Sequence, residues 1–262
     1  MTPLVAGQLL LPEYSLGMVA LSFFISFAGS LVALICAGRM VGADGKPNLA
    51  VVACAAVALG GIGIWSMHFI GMLAYRLPVA ISYNVPLTVV SLVAAVLISG
   101  IALYMAGGRL KFSKSGWLGG SLLAGAGVCV MHYMGMFAMN MRAEMEFDVA
   151  RVALSVAIAV SAAAAALWLA FNLRKFSHKV AAAAVMGVAV CTMHYVGMSA
   201  ASMVCTAAAP VDALAIGGSS MGLIVFGTAG AVLIFIYWVV TGSSLDTTPA
   251  AGVRRPQNQL MR

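Results

Sequence analysis

The sequence predicts an all-α membrane protein, a polytopic bundle of seven transmembrane helices with a threefold two-helix internal repeat. Three observations lead to this fold class. Of the 262 residues, 63% are hydrophobic and only 8% are charged, whereas soluble domains contain roughly 25% charged residues. Seven apolar runs punctuate the chain, and one eight-residue motif occurs three times at nearly constant spacing. A soluble domain is therefore excluded.

The seven apolar runs define the predicted helices. Each run is long enough to cross a ~30 Å hydrocarbon core, which needs about 20 residues. None shows the alternation and ~10-residue length of membrane barrel strands, so spanning strands are not expected. The runs fall near residues 15–38, 48–74, 85–107, 117–140, 149–172, 180–203 and 218–241.

Positive residues predict the orientation of these helices. Three of the fourteen Lys and Arg residues, Arg76, Arg142 and Arg151, lie on one side of the predicted membrane, and eleven lie on the other. By the positive-inside rule the N-terminus is outside and the C-terminus is cytoplasmic. The eleven are Arg39, Lys46, Arg109, Lys111, Lys114, Arg174, Lys175, Lys179, Arg254, Arg255 and Arg262.

The orientation divides the chain into three parts. Residues 1–14 form an external segment, residues 15–241 the membrane domain, and residues 242–262 a cytoplasmic tail. The tail is rich in Ser, Thr, Pro, Gly and Arg and too poor in apolar residues to fold. The net charge of +7 does not indicate a nucleic-acid partner, because no aromatic residues are interleaved with the positive ones.

The repeated motif centres on a histidine. It reads WSMHFIGM at residues 65–72, CVMHYMGM at 129–136 and CTMHYVGM at 191–198. His68 and His132 are 64 residues apart, and His194 follows 62 residues later. We expect all three histidines in the outward half of the bundle, on helices that bring them together. The fourth histidine, His178, lies in a cytoplasmic loop, and we assign it no role.

Polar residues after each motif keep the 64-residue interval. Each unit is predicted to be a motif helix, an external turn, and a returning helix that starts at Asn or Asp and carries Ser seven residues later. We interpret the Asn and Asp residues at the helix starts as N-caps, and the Ser residues seven positions later as close-packing positions between helices. Ser15 and Ser22 show the same step, so the first span resembles a returning helix without a motif partner. The caps are Asn84, Asp148, Asp212 and Ser15, and the packing serines are Ser91, Ser155 and Ser219.

The motif places soft ligands on one helix face. With 100° per residue, a Cys three residues before the histidine and a Met four residues after it lie within about 60° of it. Imidazole, thioether and thiolate together form the ligand set that soft Cu(I) prefers, whereas Mg and Ca require oxygens. The motif Gly lies about 60° to the other side and lets a neighbouring backbone approach. The predicted copper ligands are His68, Met72, Cys129, His132, Met136, Cys191, His194 and Met198.

The three copies are not equal in sulfur. The first has Trp65 where the others have Cys129 and Cys191, so we expect substitution of His132 or His194 to lower copper content more than substitution of His68. The Met preceding each histidine points about 100° away, so it either serves the site of a neighbouring helix or only packs. These residues are Met67, Met131 and Met193.

Two alternatives to a copper site remain open for the histidines. Intramembrane polar residues are functional candidates because burying them in hydrocarbon is costly. Each ring could instead hydrogen-bond a carbonyl across a helix interface and only join the helices. Two of the rings could also hold a haem iron.

The triplicated Met-His-aromatic-x-Gly-Met pattern closely resembles the bacterial MHYT domain, an integral membrane sensor module, over about residues 10–241. The resemblance implies a multi-pass protein of the bacterial inner membrane. It also implies a copper site near the outer face, built from the motif Met, His and Cys residues, that senses oxygen, carbon monoxide or nitric oxide. Phe69 replaces the motif Tyr, and Ile70, Met134 and Val196 stand where the motif has Thr. None of these changes removes a soft ligand.

Members of that family are often fused to cytoplasmic output domains. The short tail here carries none, so we expect the chain to act through a cytoplasmic or membrane signalling partner. We expect no enzymatic activity, because the seven acidic residues lie in loops or termini and no phosphate-binding loop is present. Alternative functions are a copper transporter or chaperone, for which Cys36 and Cys54 would form a second station, and a haem-binding electron-transfer protein.

Overall fold

A computed structural model of the protein describes residues 5–42, 45–107, 113–206 and 214–242. Within these residues, seven helices are long and apolar enough to span a bilayer, so the chain is a multi-pass membrane protein. Most of the predicted tail, residues 243–262, lies outside the described residues. The helices are α1 (Leu16–Ala37), α2 (Leu49–Ala74), α3 (Val85–Gly107), α4 (Lys114–Phe137), α5 (Val149–Asn172), α6 (Phe176–Ser199) and α7 (Gly218–Gly242).

The bounds of five helices agree with the sequence prediction to within one residue, and those of α4 and α6 do not. Both begin and end earlier than predicted. Helix α4 begins after Ser113, whose hydroxyl accepts the backbone N–H of Gly116 at 3.1 Å. At the other end, Met139 and Ala201 continue the apolar runs but already belong to strands. Hydropathy alone does not distinguish these strands from the helix before them.

Helix α2 contains a π-helical segment, Val57–Ser66, where the sequence predicted regular α-helix. The Ser66 hydroxyl donates to the carbonyl of Gly61, five residues earlier, at 2.9 Å. The glycines of the π-helical segment let neighbouring backbones approach closely. A Cβ at Gly60, for example, would overlap the carbonyl of Ala95 in α3. Trp65 lies in this segment, so the α-helical angle given for the position three residues before the histidine does not apply to the first motif.

Six helices form a closed ring in which motif helices and returning helices alternate. Helix α2 packs between α1 and α3, α4 between α3 and α5, and α6 between α5 and α1. The motif helices α2, α4 and α6 also contact one another. Helix α7 packs against α1 and α2. The first helix, predicted to lack a motif partner, thus takes the place of the returning helix beside the third motif, where the sequence predicted α7.

Short strands cover one end of the ring. They lie before α1 or in the connections that follow a motif helix, so all of them are at the end where the motif helices finish. They form the antiparallel sheets β1-β7-β6, β2-β3 and β5-β4-β8. The strands are β1 (Leu9–Leu10), β2 (Glu13–Tyr14), β3 (Tyr75–Arg76), β4 (Ser82–Asn84), β5 (Met139–Asn140), β6 (Ala143–Phe147), β7 (Ala201–Cys205) and β8 (Ala215–Gly217).

Two of the predicted helix caps are confirmed. The Asn84 side chain accepts the N–H of Leu87 at 2.9 Å, and that of Asp148 accepts the N–H groups of Ala150 and Arg151. Ser15 precedes α1, but its side chain accepts no capping hydrogen bond from the described residues, so that prediction is wrong. Asp212 lies outside the described residues.

Candidate metal centre

The three motif histidines meet at the centre of the ring. His68 Nδ1 lies 3.0 Å from His194 Nδ1 and 3.1 Å from His132 Nδ1. The side chains are at most 1% exposed. One nitrogen from each ring lies within 4.8 Å of the other two. The predicted convergence of the three motif helices is therefore confirmed.

The motif glycines orient these rings. A Cβ built at Gly135 would overlap Nε2 of His68, and the same relation joins Gly197 to His132 and Gly71 to His194. Each imidazole thus packs against the glycine backbone of another motif helix, in a cyclic order. Because a larger residue would displace the ring, the glycines hold each Nδ1 towards the shared centre.

The donor atoms fit a small nitrogen-liganded metal ion. With metal–nitrogen bonds of about 2.0–2.1 Å, three ligands in a plane lie roughly 3.5 Å apart, close to the observed 3.0 and 3.1 Å. A neutral imidazole carries one N–H, so an ion bound at Nδ1 leaves that proton on Nε2. All three Nε2 atoms are buried without a hydrogen-bond partner among the described residues. Imidazole suits Zn, Cu, Fe and Ni, so geometry alone leaves the identity of the metal open.

A second repeated contact fixes the motif helices to the returning helices. The Ser155 hydroxyl donates to the Val152 carbonyl, so its oxygen is left to accept from the Tyr133 hydroxyl 2.7 Å away. The other copies repeat this arrangement. The equivalent pairs are Tyr195 with Ser22 at 3.0 Å, and Trp65 Nε1 with Ser91 at 3.0 Å.

Sequence reasoning missed the role of these aromatic residues, although a signal was present. Copies two and three have Cys before and Tyr after the histidine, whereas the first copy has Trp65 and Phe69. Trp65 supplies the hydrogen-bond donor that Phe69 lacks. The Trp65 N–H therefore compensates for the hydroxyl that is absent at Phe69.

The cysteines lie apart from the converging nitrogens. Among the His, Cys, Asp and Glu side chains that the structure describes, the group able to hold an ion contains the three imidazoles alone. Cys129 packs with Ala159 and Met193, and Cys191 Sγ lies 4.0 Å from Ser22 Oγ. A ligand role for either cysteine stays a prediction.

The motif methionines are all buried, with exposed fractions of 0–2%. They are Met67, Met72, Met131, Met136, Met193 and Met198. Each is adjacent to its histidine in sequence or one helical turn beyond it, which places thioether groups within about one turn of every motif histidine. Their predicted role as ligands also stays a prediction.

The strand cap adds buried aromatic residues at this end of the bundle. The Tyr83 ring lies 5.6 Å from that of Phe69, which follows His68. Burial raises the pKa of Tyr83, and burial together with the neighbouring Tyr14 raises the pKa of Tyr75 to about 12. Both phenols are therefore neutral at physiological pH.

The fold and the site define a class of protein: a polytopic membrane protein with a buried three-imidazole centre. Residues 61–120 and 125–183 match the MHYT family, described as a bacterial signalling protein N-terminal repeat. The chain carries this MHYT repeat domain and belongs to that family. The third motif lies beyond the matched segments, and the structure places His194 beside the other two histidines.

Similar proteins are signalling proteins. The chain is 41% identical over 74% of its length to the bifunctional diguanylate cyclase/cyclic di-GMP phosphodiesterase MucR of Pseudomonas aeruginosa, covering 29% of that protein. It is 32% identical over 76% of its length to the cyclic di-GMP phosphodiesterase NbdA of the same organism, covering 26% of it. Signaling protein YkoW of Bacillus subtilis is 28% identical over 72% of the chain, which covers 24% of YkoW. The chain thus spans less than a third of each relative. No solved structure shows significant similarity.

Proposed function

We propose that this chain is a non-enzymatic sensor module of the bacterial inner membrane that binds copper through His68, His132 and His194. It responds to a diatomic gas or to a change of redox state. The observation that carries the proposal is the convergence of three buried imidazoles, one from each repeat. Burying three such polar groups in a membrane domain is costly, and intramembrane polar residues are therefore functional candidates.

Copper is favoured over zinc by the sulfur around the imidazoles. Cys129 and Cys191 lie less than one helical turn before their histidines, and each buried motif methionine lies within about one turn of a histidine. Thioether and thiolate groups select soft ions such as Cu(I), and imidazole binds them as well. A haem is not supported, because imidazoles in contact at 3.0–3.1 Å leave no space for a macrocycle between them.

The three motif helices couple the centre to the rest of the bundle. When bound, the ion supplies an exchangeable coordination position or a change of oxidation state, with its own preferred ligand spacing. Each imidazole is attached to a different helix, so a change in spacing moves α2, α4 and α6 relative to one another. Packed helices convert such small shifts into discrete rearrangements. The π-helical segment directly before His68 gives α2 an irregular backbone of the kind often found at functional sites.

Output leaves through a partner on the cytoplasmic side. The names of MucR and NbdA describe cyclic di-GMP enzymes, and this chain spans less than a third of each. Exposed Lys114, Arg174 and Lys175 offer a basic surface for an acidic partner or anionic lipid. Lys179 donates to the Leu34 carbonyl at 2.9 Å, so it is partly engaged within the bundle. Lys111, Arg254 and Arg255 lie outside the described residues.

Metal analysis of the purified protein in lipid nanodiscs tests the centre. We expect about one copper ion per chain. Because the three rings share one centre, we expect at least a tenfold loss in His68→Ala, His132→Ala and His194→Ala, in place of the smaller effect that the sequence predicted for His68. His178→Ala is the matched control, because His178 is exposed and outside the centre. Absence of metal from the parent, or zinc in place of copper, would contradict the proposal.

The sulfur ligands are tested separately, with Cys129→Ala and Cys191→Ala compared against Cys205→Ala in the cap. If sulfur coordinates, the first two lose copper and the third retains it. Equal copper in all three would exclude Cys129 and Cys191 as ligands.

Sensing is distinguished from copper transport by deleting the gene in its host. We expect altered transcription under oxygen, carbon monoxide or nitric oxide with unchanged cellular copper. A deletion that changes cellular copper and leaves every gas response intact would replace sensing by transport, for which Cys36 and Cys54 are the candidate second station.

A further inference from the structure

An apolar cavity lies inside the ring, next to the histidine layer. Its volume is about 60 Å³, and its walls come from the π-helical segment of α2 and from α3, α4, α5 and α6. Ser99 carries the only hydroxyl among the described residues that line it. The cavity is thus an apolar space within the membrane domain.

The boundary between cavity and histidines repeats with the motif. Ile64, Val128 and Val190 line the cavity, and each lies four residues before a motif histidine. On an α-helix, which holds Val128 and Val190, residues four apart share a face and are separated by about 6 Å along the axis. Met193, which directly precedes His194, also lines the cavity, so the cavity lies about one side-chain layer from the imidazoles.

Small side chains keep the cavity open. Helix α5 contributes Ala159, Ala162, Ala163 and Ala166, which recur at the spacing of one helical face. Larger aliphatic residues there would fill the space. The cavity exists because four of the five α5 residues that line it carry only a methyl group, the fifth being Leu167.

The size and chemistry of the cavity indicate its occupant. A water molecule needs roughly 10–15 Å³ of such space and two to four polar partners, whereas apolar cavities stay dry and bind apolar molecules. The volume of about 60 Å³ is well below the roughly 150 Å³ cavity that admits benzene. An aromatic ring does not fit, and a molecule of diatomic size does.

We propose that this cavity is a binding site for one small apolar molecule of diatomic size, held one side-chain layer from the three histidines. The inference that a small apolar molecule binds in the cavity depends only on the residues that line it. The consequence that a gas waits there for the metal centre rests on the proposed function. Lipid surrounds the bundle and dissolves apolar gases, so the occupant is supplied from the membrane.

Xenon is the probe for this site, because it is apolar, monatomic and bound by dry protein cavities. We expect a saturable ¹²⁹Xe NMR shift for the parent in nanodiscs, after subtraction of empty nanodiscs. Ala163→Leu fills the cavity and should weaken xenon binding at least fivefold. Ala165→Leu adds the same group to an exposed position of the same helix and should bind like the parent.

Ala166→Leu is a second filling variant, used if Ala163→Leu does not fold. No saturable shift in the parent, persistence of the shift in the folded filling variants, or equal loss in Ala165→Leu would overturn the proposal. Copper is measured on the same samples. Copper without xenon binding refutes the cavity alone, and xenon binding without copper refutes the metal centre alone.

Discussion

Gly135 lies directly against the imidazole of His68, so closely that a methyl group at this position would overlap Nε2 of the ring. The two residues belong to different repeats and different helices, 67 positions apart in the sequence. One motif therefore positions the histidine of another. The motif cannot complete this arrangement within a single helix.

Substituting Gly135 by Ala should displace His68 from the centre. Overpacking of a close-packed interior costs typically 1–3 kcal/mol, and the displaced ring no longer directs Nδ1 towards the other two. We expect a lower apparent Tm and loss of bound metal. Gly227→Ala in α7 is the control, since a Cβ there meets no atom within 4 Å of the described structure. Unchanged metal content in Gly135→Ala would contradict this role of the glycine.

Exchanging two residues of the first motif for those of the other copies should preserve its contact with α3. Trp65→Cys alone removes the donor to Ser91, which is expected to cost about 1 kcal/mol in addition to the cost of the cavity left by the buried ring. Trp65→Cys combined with Phe69→Tyr supplies a hydroxyl at the position that Tyr133 occupies in its own repeat, and should recover part of that stability. Thermal unfolding of both variants measures the difference. Equal stability of the single and double variants would show that the exchange is not compensated.

Lys179 should stabilise the junction of α1 and α6. It donates to the Leu34 carbonyl at 2.9 Å, which lies in the last turn of α1, where carbonyls lack helical partners and cations are favoured. Lys179→Met should lower stability by about 1 kcal/mol. Lys175→Met removes the same charge from an exposed position and should have little effect. The prediction is wrong if both variants unfold alike.

Asp148 should stabilise α5 through its cap. Its Oδ1 accepts two backbone N–H groups, and it lies 3.6 Å from Arg151. Asp148→Ala is expected to cost about 1 kcal/mol, whereas Asn caps about as well as Asp. Asp148→Asn should therefore stay close to the parent in a thermal melt. A loss as large as that of the alanine variant would assign the effect to the carboxylate charge instead.

The orientation in the membrane is tested with engineered cysteines. Glu144 and Lys46 are both exposed, at opposite ends of the bundle. Glu144→Cys should react with a membrane-impermeant thiol reagent in intact cells, and Lys46→Cys only after permeabilisation. The parent gives the background from its own cysteines. The reverse labelling pattern would invert the predicted topology.

The sequence predicted the helices and the convergence of the histidines well, because both follow from periodic features. Hydropathy identified seven spans, and the 64-residue interval placed His68 and His132 at equivalent positions. The structure adds a partner for α1 that no local pattern reveals. Contact of α1 with α6 depends on closure of the ring, which is a property of the whole chain.

Local irregularities were harder to predict. The π-helical segment of α2 has the same residue types as an ordinary membrane helix, so its extra residue per hydrogen-bonded turn leaves no mark on hydropathy. The strands beginning at Met139 and Ala201 continue apolar runs, so hydropathy predicts helix there. In the sequence, Trp65 and Phe69 are only two departures from the motif. The structure explains them, because the Trp65 N–H donates to Ser91 where the other copies use the Tyr hydroxyl.

Because α1 closes the ring, the number of imidazoles at the centre equals the number of repeats. An open array can gain or lose units at its ends, whereas here the first and sixth helices are neighbours. An extra two-helix unit would have to enter a closed circle and would separate imidazoles that now lie 3.0 and 3.1 Å apart. Each repeat contributes one imidazole nitrogen, and the three nitrogens are arranged around a pseudo-threefold axis. Three repeats therefore set the number of imidazoles at the centre to three.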